Sequence, residues 1–307
     1  MAEFDDERIK RIAKLVDEQN KKDIANWNAE SIFERLDSAI IGNETYKKSL
    51  AVTLANYLAP ERRRDHLLVT GPSGTGKTYL LEQTLPDFGL PYIVIDTSSL
   101  VPSGYKGTSL NELLTPFFSS GQNPGKGAVI VLDEFDKISE KANGGDTHKS
   151  HSIQGELLTL IQGKKEAGID TTQSLWILLG AFAYSDEMKR PPYKISKTDM
   201  LKYGLKNELL GRITKVTSTE MPTTEQVLKR IIHHASFKAF LSDMKRDGFD
   251  IDFEDLALLE LSKAAQEPSF GMRIIPSILS FLQEKITFGG KKGTITVTSA
   301  EIIEAKK

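Results

Sequence analysis

The chain has 307 residues, 39% of them hydrophobic, and a formal net charge of −2, which is enough for one large domain and a smaller one, each with an apolar core. The near-neutral balance argues against a general nucleic-acid binder but leaves room for a local basic groove. Cysteine is absent, which excludes disulfides, a cysteine zinc site and a thiol nucleophile. No apolar run reaches the length of a membrane span and the start is acidic rather than signal-like, so a soluble, cytoplasmic protein without membrane contact is expected.

Residues 1–37 read as a charged helical N-terminal extension, with Ile9, Ile12, Ala13, Leu15 and Val16 forming a narrow apolar stripe. Strand and helix patterns then alternate to about Pro222, with HLLVT, YIVID, AVIVLDE and LWILLGA as the strand candidates. Such alternation predicts an α/β unit whose parallel sheet lies between helices. MPTT (Met221 to Thr224) marks a boundary, since proline starts a helix well and continues one badly. Beyond it the pattern is helical, in EQVLKRIIHHASFKAFLSDM, FEDLALLELSKAAQ and IIPSILSFLQEKI, with one short strand expected at ITVT. The expected division is 1–37, 38–222 and 223–307.

GPSGTGKT (Gly71 to Thr78) sits between the first strand candidate and the helix YLLEQTL. Strand, glycine turn and helix N-terminus aim successive backbone N–H groups at one point, which suits a polyphosphate. Gly71, Gly74 and Gly76 permit the tight turn, Lys77 would reach the β- and γ-phosphates, and the Thr78 hydroxyl would help hold Mg²⁺. AVIVLDEFDK supplies the second piece: Asp133 is placed for the Mg²⁺ shell, and Glu134 would polarise a water for attack on the γ-phosphate. HKSH (His148 to His151) has no acidic partner pattern and reads as polar chain entering a helix. Arg62 to Arg64 read as a solvated basic turn, with nucleotide or nucleic-acid contact as the lesser alternative. NGGD (Asn143 to Asp146) marks a flexible loop.

Taken in order, these segments resemble an AAA+ ATPase of the ClpX/HslU type, from about Ile40 to the C-terminal region. The resemblance implies an AAA+ P-loop NTPase fold followed by a small, mainly α-helical C-terminal lid. IIGNETYKKSLAVTLANYL resembles the segment before the phosphate loop, which implies base contacts from Ile40 and Ile41. It also implies nucleotide contacts from Gly71, Pro72, Ser73, Gly74, Thr75, Gly76, Lys77 and Thr78. LLGRI resembles the arginine-finger segment, so Arg212 would enter a neighbouring subunit's ATP site. FGMRIIPSIL resembles the sensor-2 segment, so Arg273 would contact the γ-phosphate. GYKG within DTSSLVPSGYKG resembles the aromatic pore loop, so Tyr105 and Lys106 would grip a threaded polypeptide. From the motif alone an anchoring aromatic is equally open, and an aromatic plus Lys106 would also suit a nucleic-acid channel.

The chain departs from the family in several places. It lacks the cysteine zinc module and the insertion that gives HslU its intermediate domain. The interval YSDEMKRPPYKISK carries no isoleucine–glycine–phenylalanine tip for docking a peptidase, and the second pore-loop interval, KKEAGIDTTQ, is short. Gly180 and Ala181 stand where a polar phosphate sensor is expected. The expected function is an ATP- and Mg²⁺-dependent protein unfoldase or remodelling chaperone working as a hexameric ring, with an absent or atypical peptidase partner. A nucleic-acid translocase or loader and a non-threading assembly switch are the alternatives.

Overall fold

The computed structural model describes residues 27–103, 106–120, 127–139, 147–166, 168–182, 195–267, 270–289 and 292–306. The apolar stripe of residues 9–16, Tyr105, the NGGD segment and most of YSDEMKRPPYKISK lie outside them.

Helix α1 (Ala29–Ala39) begins at Asn28, whose side chain accepts a hydrogen bond from the Ser31 N–H at 2.9 Å, a cap that satisfies an otherwise orphaned donor. Helix α2 (Glu44–Leu58) leads into strand β1 (Leu67–Thr70), followed by α3 (Lys77–Thr84), β2 (Tyr92–Asp96), α4 (Leu110–Ser119) and β3 (Val129–Asp133). Helix α5 (Thr147–Gly163), the short strands β4 (Lys165–Glu166) and β5 (Ile169–Asp170), and β6 (Leu175–Gly180) come next. Helices α6 (Lys197–Lys202) and α7 (Asn207–Arg212) then deliver the chain to β7 (Lys215–Ser218).

Five of these strands form one sheet in the order β2-β3-β6-β1-β7, and each neighbouring pair is parallel. Side chains alternate between its two faces. Leu67 and Val69 pack with Ile32, Leu36 and Leu80 on one side, while Leu68 packs with Leu132, Leu157 and Trp176 on the other. Both faces are therefore covered by helices, and each fully buried leucine contributes roughly 2 kcal/mol of hydrophobic stabilisation. Within KKEAGIDTTQ, β4 and β5 pair antiparallel, Lys165 with Asp170 and Glu166 with Ile169.

The remaining elements are α8 (Thr224–His233), α9 (Ala235–Arg246), β8 (Phe249–Phe253), α10 (Asp255–Gln266), α11 (Ile274–Gly289), β9 (Gly293–Val297) and α12 (Ser299–Ala305). Their apolar residues, from Val227 to Ile302, form a core cluster separate from both sheet faces. Two details differ from the sequence expectation. The segment EQVLKRIIHHASFKAFLSDM is two helices, because His234 leaves the helical region (ψ 138°) and its Nδ1 caps α9 by accepting from the Ser236 N–H. The strand expected at ITVT has a partner, β8, with which it pairs in parallel.

His66, at the entrance to β1, ties the sheet together from inside. Its Nδ1 accepts the Trp176 N–H at 3.2 Å, and the Ile161 carbonyl is its other partner, so the neutral tautomer is held. Burial pushes the imidazole from 6.5 down to about 4, with nearby Arg64 acting in the same direction. An unfolded chain therefore binds a proton at His66 that the folded chain refuses between those pH values. At about 1.36 kcal/mol per pH unit, stability should fall by about 3 kcal/mol as pH drops from 6.5 to about 4. His66→Asn should flatten that part of the stability–pH curve, as read by urea unfolding at a series of pH values. An unchanged slope would assign the acid loss to other groups.

Candidate functional site

All the strand ends that matter lie on one edge of the sheet. β1 stops at Thr70, β3 at Asp133, β6 at Gly180 and β7 at Ser218, with β1 between β6 and β7. Ligands in parallel sheets gather at this carboxyl edge. The edge opens here into a cleft of about 1000 Å³ bounded by residues 38–41, the phosphate-loop segment, Asp133, Glu134, Asp136, Gly180, Ala181, Arg230 and Arg273.

The turn between β1 and α3 is held from several sides. The Gly71 N–H donates to the Gly180 carbonyl at 3.2 Å, the Asn43 amide donates to the Thr75 carbonyl at 2.7 Å, and the Tyr46 hydroxyl donates to the Lys77 carbonyl at 3.1 Å. The Thr75 and Thr219 hydroxyls meet at 2.9 Å behind the loop. Gly76 has φ 94°, and a Cβ there would come within 2.3 Å of Ile40 Cδ1, so only glycine fits under that side chain. Lys77 is 8% exposed and its Nζ donates to the Gly71 and Pro72 carbonyls at 2.7 and 2.8 Å. Burial pushes its pKa from 10.5 down to about 8, against the pull of Asp133, Asp136 and Glu134. Ser73 and Gly74 line the cleft, and Pro72 and Thr75 sit just behind them.

The Thr78 hydroxyl donates to Asp133 Oδ2 at 2.6 Å, which joins the two oxygen groups expected at the metal. A hydroxyl beside a carboxylate is a donor set of the kind that hard cations such as Mg²⁺ take. Glu134 follows in a left-handed conformation (φ 52°, ψ 34°), which separates its direction from that of Asp133. A non-glycine residue pays for that conformation unless neighbours fix it. The Asp133 Oδ1 accepts the Glu134 N–H at 2.8 Å, and Thr97 donates its hydroxyl to the Asp133 and Glu134 carbonyls at 3.0 and 2.7 Å. Asp136, buried, accepts the Ala181 N–H at 3.0 Å, so the end of β6 is fixed through its backbone where no polar side chain is available.

Ile40 and Ile41 line the cleft, with Ile40 against Gly76, and Arg273 reaches the phosphate loop too, donating to the Ser73 hydroxyl at 3.3 Å. Arg212 is not among these residues. It ends α7, is exposed, and makes no hydrogen bond or ion pair among the described residues. Lys106 is exposed and outside the cleft. The basic run is absorbed elsewhere: Arg62 lies 5.0 Å over the Tyr57 ring and Arg63 pairs with Asp65 at 3.0 Å. Asn43, Thr97, Asp136, Thr219 and Arg230 were missed by the sequence reading. Only Asp136 had a local signal, its place three residues after Asp133.

Removing the Thr97 hydroxyl should loosen the Asp133–Glu134 turn without touching the phosphate loop. Thr97→Val should lower kcat for ATP hydrolysis about tenfold while nucleotide affinity changes little, because one fixing bond of roughly 1.5 kcal/mol is lost at the turn alone. Steady-state kinetics beside equilibrium binding checks it, and an equal loss in both would place Thr97 in general folding instead.

Comparison with known proteins agrees with this geometry. The family of ATPases associated with various cellular activities (AAA) matches residues 67–201, the span from β1 to α6. The ATP-dependent Clp protease ATP-binding subunit ClpX of Treponema denticola is 28% identical, over 81% of this chain and 74% of its own length. ClpX of Porphyromonas gingivalis is 25% identical over 88% and 80%, and that of Borrelia duttonii 23% identical over 82% and 72%. With a parallel sheet, a phosphate loop and paired carboxylates at its carboxyl edge, and an AAA match over residues 67–201, the chain is an ATPase that is similar across most of its length to ClpX subunits.

Proposed function

We propose that this ATPase is a protein unfoldase or remodelling chaperone that works as a hexameric ring, threading polypeptide through a central channel. The observation that carries the reading is the separation of its cations. Lys77 and Arg273 border the chain's own cleft, whereas Arg212 stands exposed at the end of α7 with no partner among the described residues. An arginine of that kind suits a neighbouring subunit's phosphates, to which a guanidinium can donate two parallel hydrogen bonds. A heterologous contact of this sort closes into a ring when its rotation returns to the start.

Within one subunit, Lys77 and the loop N–H groups bind the β- and γ-phosphates, with Ile40 and Ile41 against the base. Thr78 and Asp133 hold Mg²⁺, which when bound neutralises charge developing on the phosphates. Glu134 orients and deprotonates the attacking water, and Arg273 senses the γ-phosphate from the unit 223–307, which acts as the lid of the ATPase unit 38–222. Tyr105 and Lys106 grip the client. The absence of a docking tip in YSDEMKRPPYKISK favours remodelling without a peptidase, or with an atypical one. No helix among the described residues is long and apolar enough to cross a membrane, which accords with a cytoplasmic setting.

Mixing two inactive variants tests the shared site. Arg212→Ala and Glu134→Gln should each abolish turnover, yet mixed rings should regain ATPase activity at interfaces that combine an intact Glu134 with an intact Arg212. Random assortment makes these about a quarter of interfaces in an equal mixture. A mixture as inactive as its components would place Arg212 outside the trans site.

Tyr105→Ala separates motor from task. It should leave ATP binding within about twofold and abolish unfolding of a tagged test protein, since work on a client needs grip as well as hydrolysis. Wild-type ATPase should be stimulated by unfolded protein and not by single- or double-stranded DNA. Stimulation by DNA alone would make the protein a nucleic-acid motor, and unchanged unfolding by Tyr105→Ala would remove the loop from the client path.

A further inference from the structure

Arg230 stands on the inward face of α8 with Val227 and Ile231, one turn apart, and all three are buried. Val227 and Ile231 enter the C-terminal core, but Arg230 borders the nucleotide cleft. Its Nε donates to the Ile41 carbonyl at 2.7 Å, and its Nη2 donates to the same oxygen. The turn it grips is closely fitted to α8. Gly42 has φ +81°, and a Cβ there would meet both Arg230 Nη2 and the Gln226 side-chain oxygen at 3.2 Å.

Arg230 is 8% exposed, and no carboxylate among the described residues pairs with it. Burial alone pushes its pKa down to about 10, so it stays charged at neutral pH. A buried cation satisfied by one carbonyl is a costly occupant for a helix face that an apolar side chain could fill. Its remaining N–H donors have no partner among the described residues. The same C-terminal unit thus reaches the cleft through two arginines: Arg273 on the Ser73 hydroxyl and Arg230 on the Ile41 carbonyl.

We infer that Arg230 is a positioning residue that locks the C-terminal helical unit onto the base-holding turn, so that occupancy by the nucleobase sets the orientation of that unit. The inference rests on the proposed contact of Ile40 and Ile41 with the base and gives that contact a working part. A base seated against Ile41 steadies the turn, the steadied carbonyl steadies Arg230, and α8 follows. The coupling is reciprocal, so fixing α8 favours base binding by the same factor.

The test is equilibrium binding of ADP and of inorganic tripolyphosphate, which has no base, to the full-length chain and to Arg230→Met and Arg230→Lys. Arg230→Met should weaken ADP about tenfold and leave tripolyphosphate within about twofold, because the bond lost is the one to the Ile41 carbonyl. Arg230→Lys, which keeps a charge and one donor direction, should recover part of the ADP affinity and serves as the folded control. For ATP hydrolysis, KM should rise with kcat little changed. Equal weakening of both ligands, or unchanged ADP binding by Arg230→Met, would overturn the inference while leaving the base contact standing. A wild-type protein that binds ADP no better than tripolyphosphate would remove the base contact itself, and the inference with it.

Discussion

The turn after β1 is the constraint from which the rest of the molecule follows. To bind phosphate, its N–H groups must be free to face the ligand, so few of them can bond within the loop's own backbone. The surrounding elements supply what the loop cannot. Asn43 at the start of α2 holds Thr75, Thr219 after β7 meets Thr75 from behind, and Gly180 at the end of β6 accepts from Gly71. Both strands that flank β1 thus reach the loop, and the order β6-β1-β7 serves the turn as much as the core. Preorganised donors cost no rearrangement when charge arrives, which is where a nucleotide site gains most.

The carboxylate end of β3 follows the same logic with a different device. Here the chain accepts a left-handed residue, Glu134, so that consecutive acids diverge. The strain is contained by hydrogen bonds to both neighbouring carbonyls from Thr97, which comes from the end of the adjacent strand β2. Parallel pairing of Asp96 with Asp133 brings Thr97 to that place. Register in the sheet is therefore part of the active-site geometry: a one-residue slip would move Thr97 away from the turn and turn the apolar residues of β2 to the wrong face.

Legibility in the sequence tracks how local each feature is. Lys77, Thr78, Asp133 and Glu134 could be read because strand, loop and helix lie in one short stretch around each pair, with long apolar runs to mark the strands. Asn43, Thr97 and Thr219 could not, since Asn and Thr are ordinary turn residues and their partners lie tens of residues away. The edge strand β7 was missed for a related reason: KVTS is short, half-exposed and carries only one apolar residue. β8, FDIDF, alternates acids with apolar residues as a one-sided strand should, yet it sits within a region whose helical periodicity dominates. The break at His233–His234 needs the imidazole cap, which only the folded chain displays.

The three arginines mark the limit of such reading most clearly. In sequence, KRI, GRI and MRI differ little, and each residue has the same charge and reach. Folding gives them unlike surroundings: Arg230 is buried against a carbonyl, Arg273 reaches from the surface to Ser73, and Arg212 is exposed without a partner among the described residues. Desolvation makes the first an expensive charge held in place by its geometry, whereas the last keeps its hydration. Burial, which one sequence does not display, is what gives one residue type three unlike surroundings.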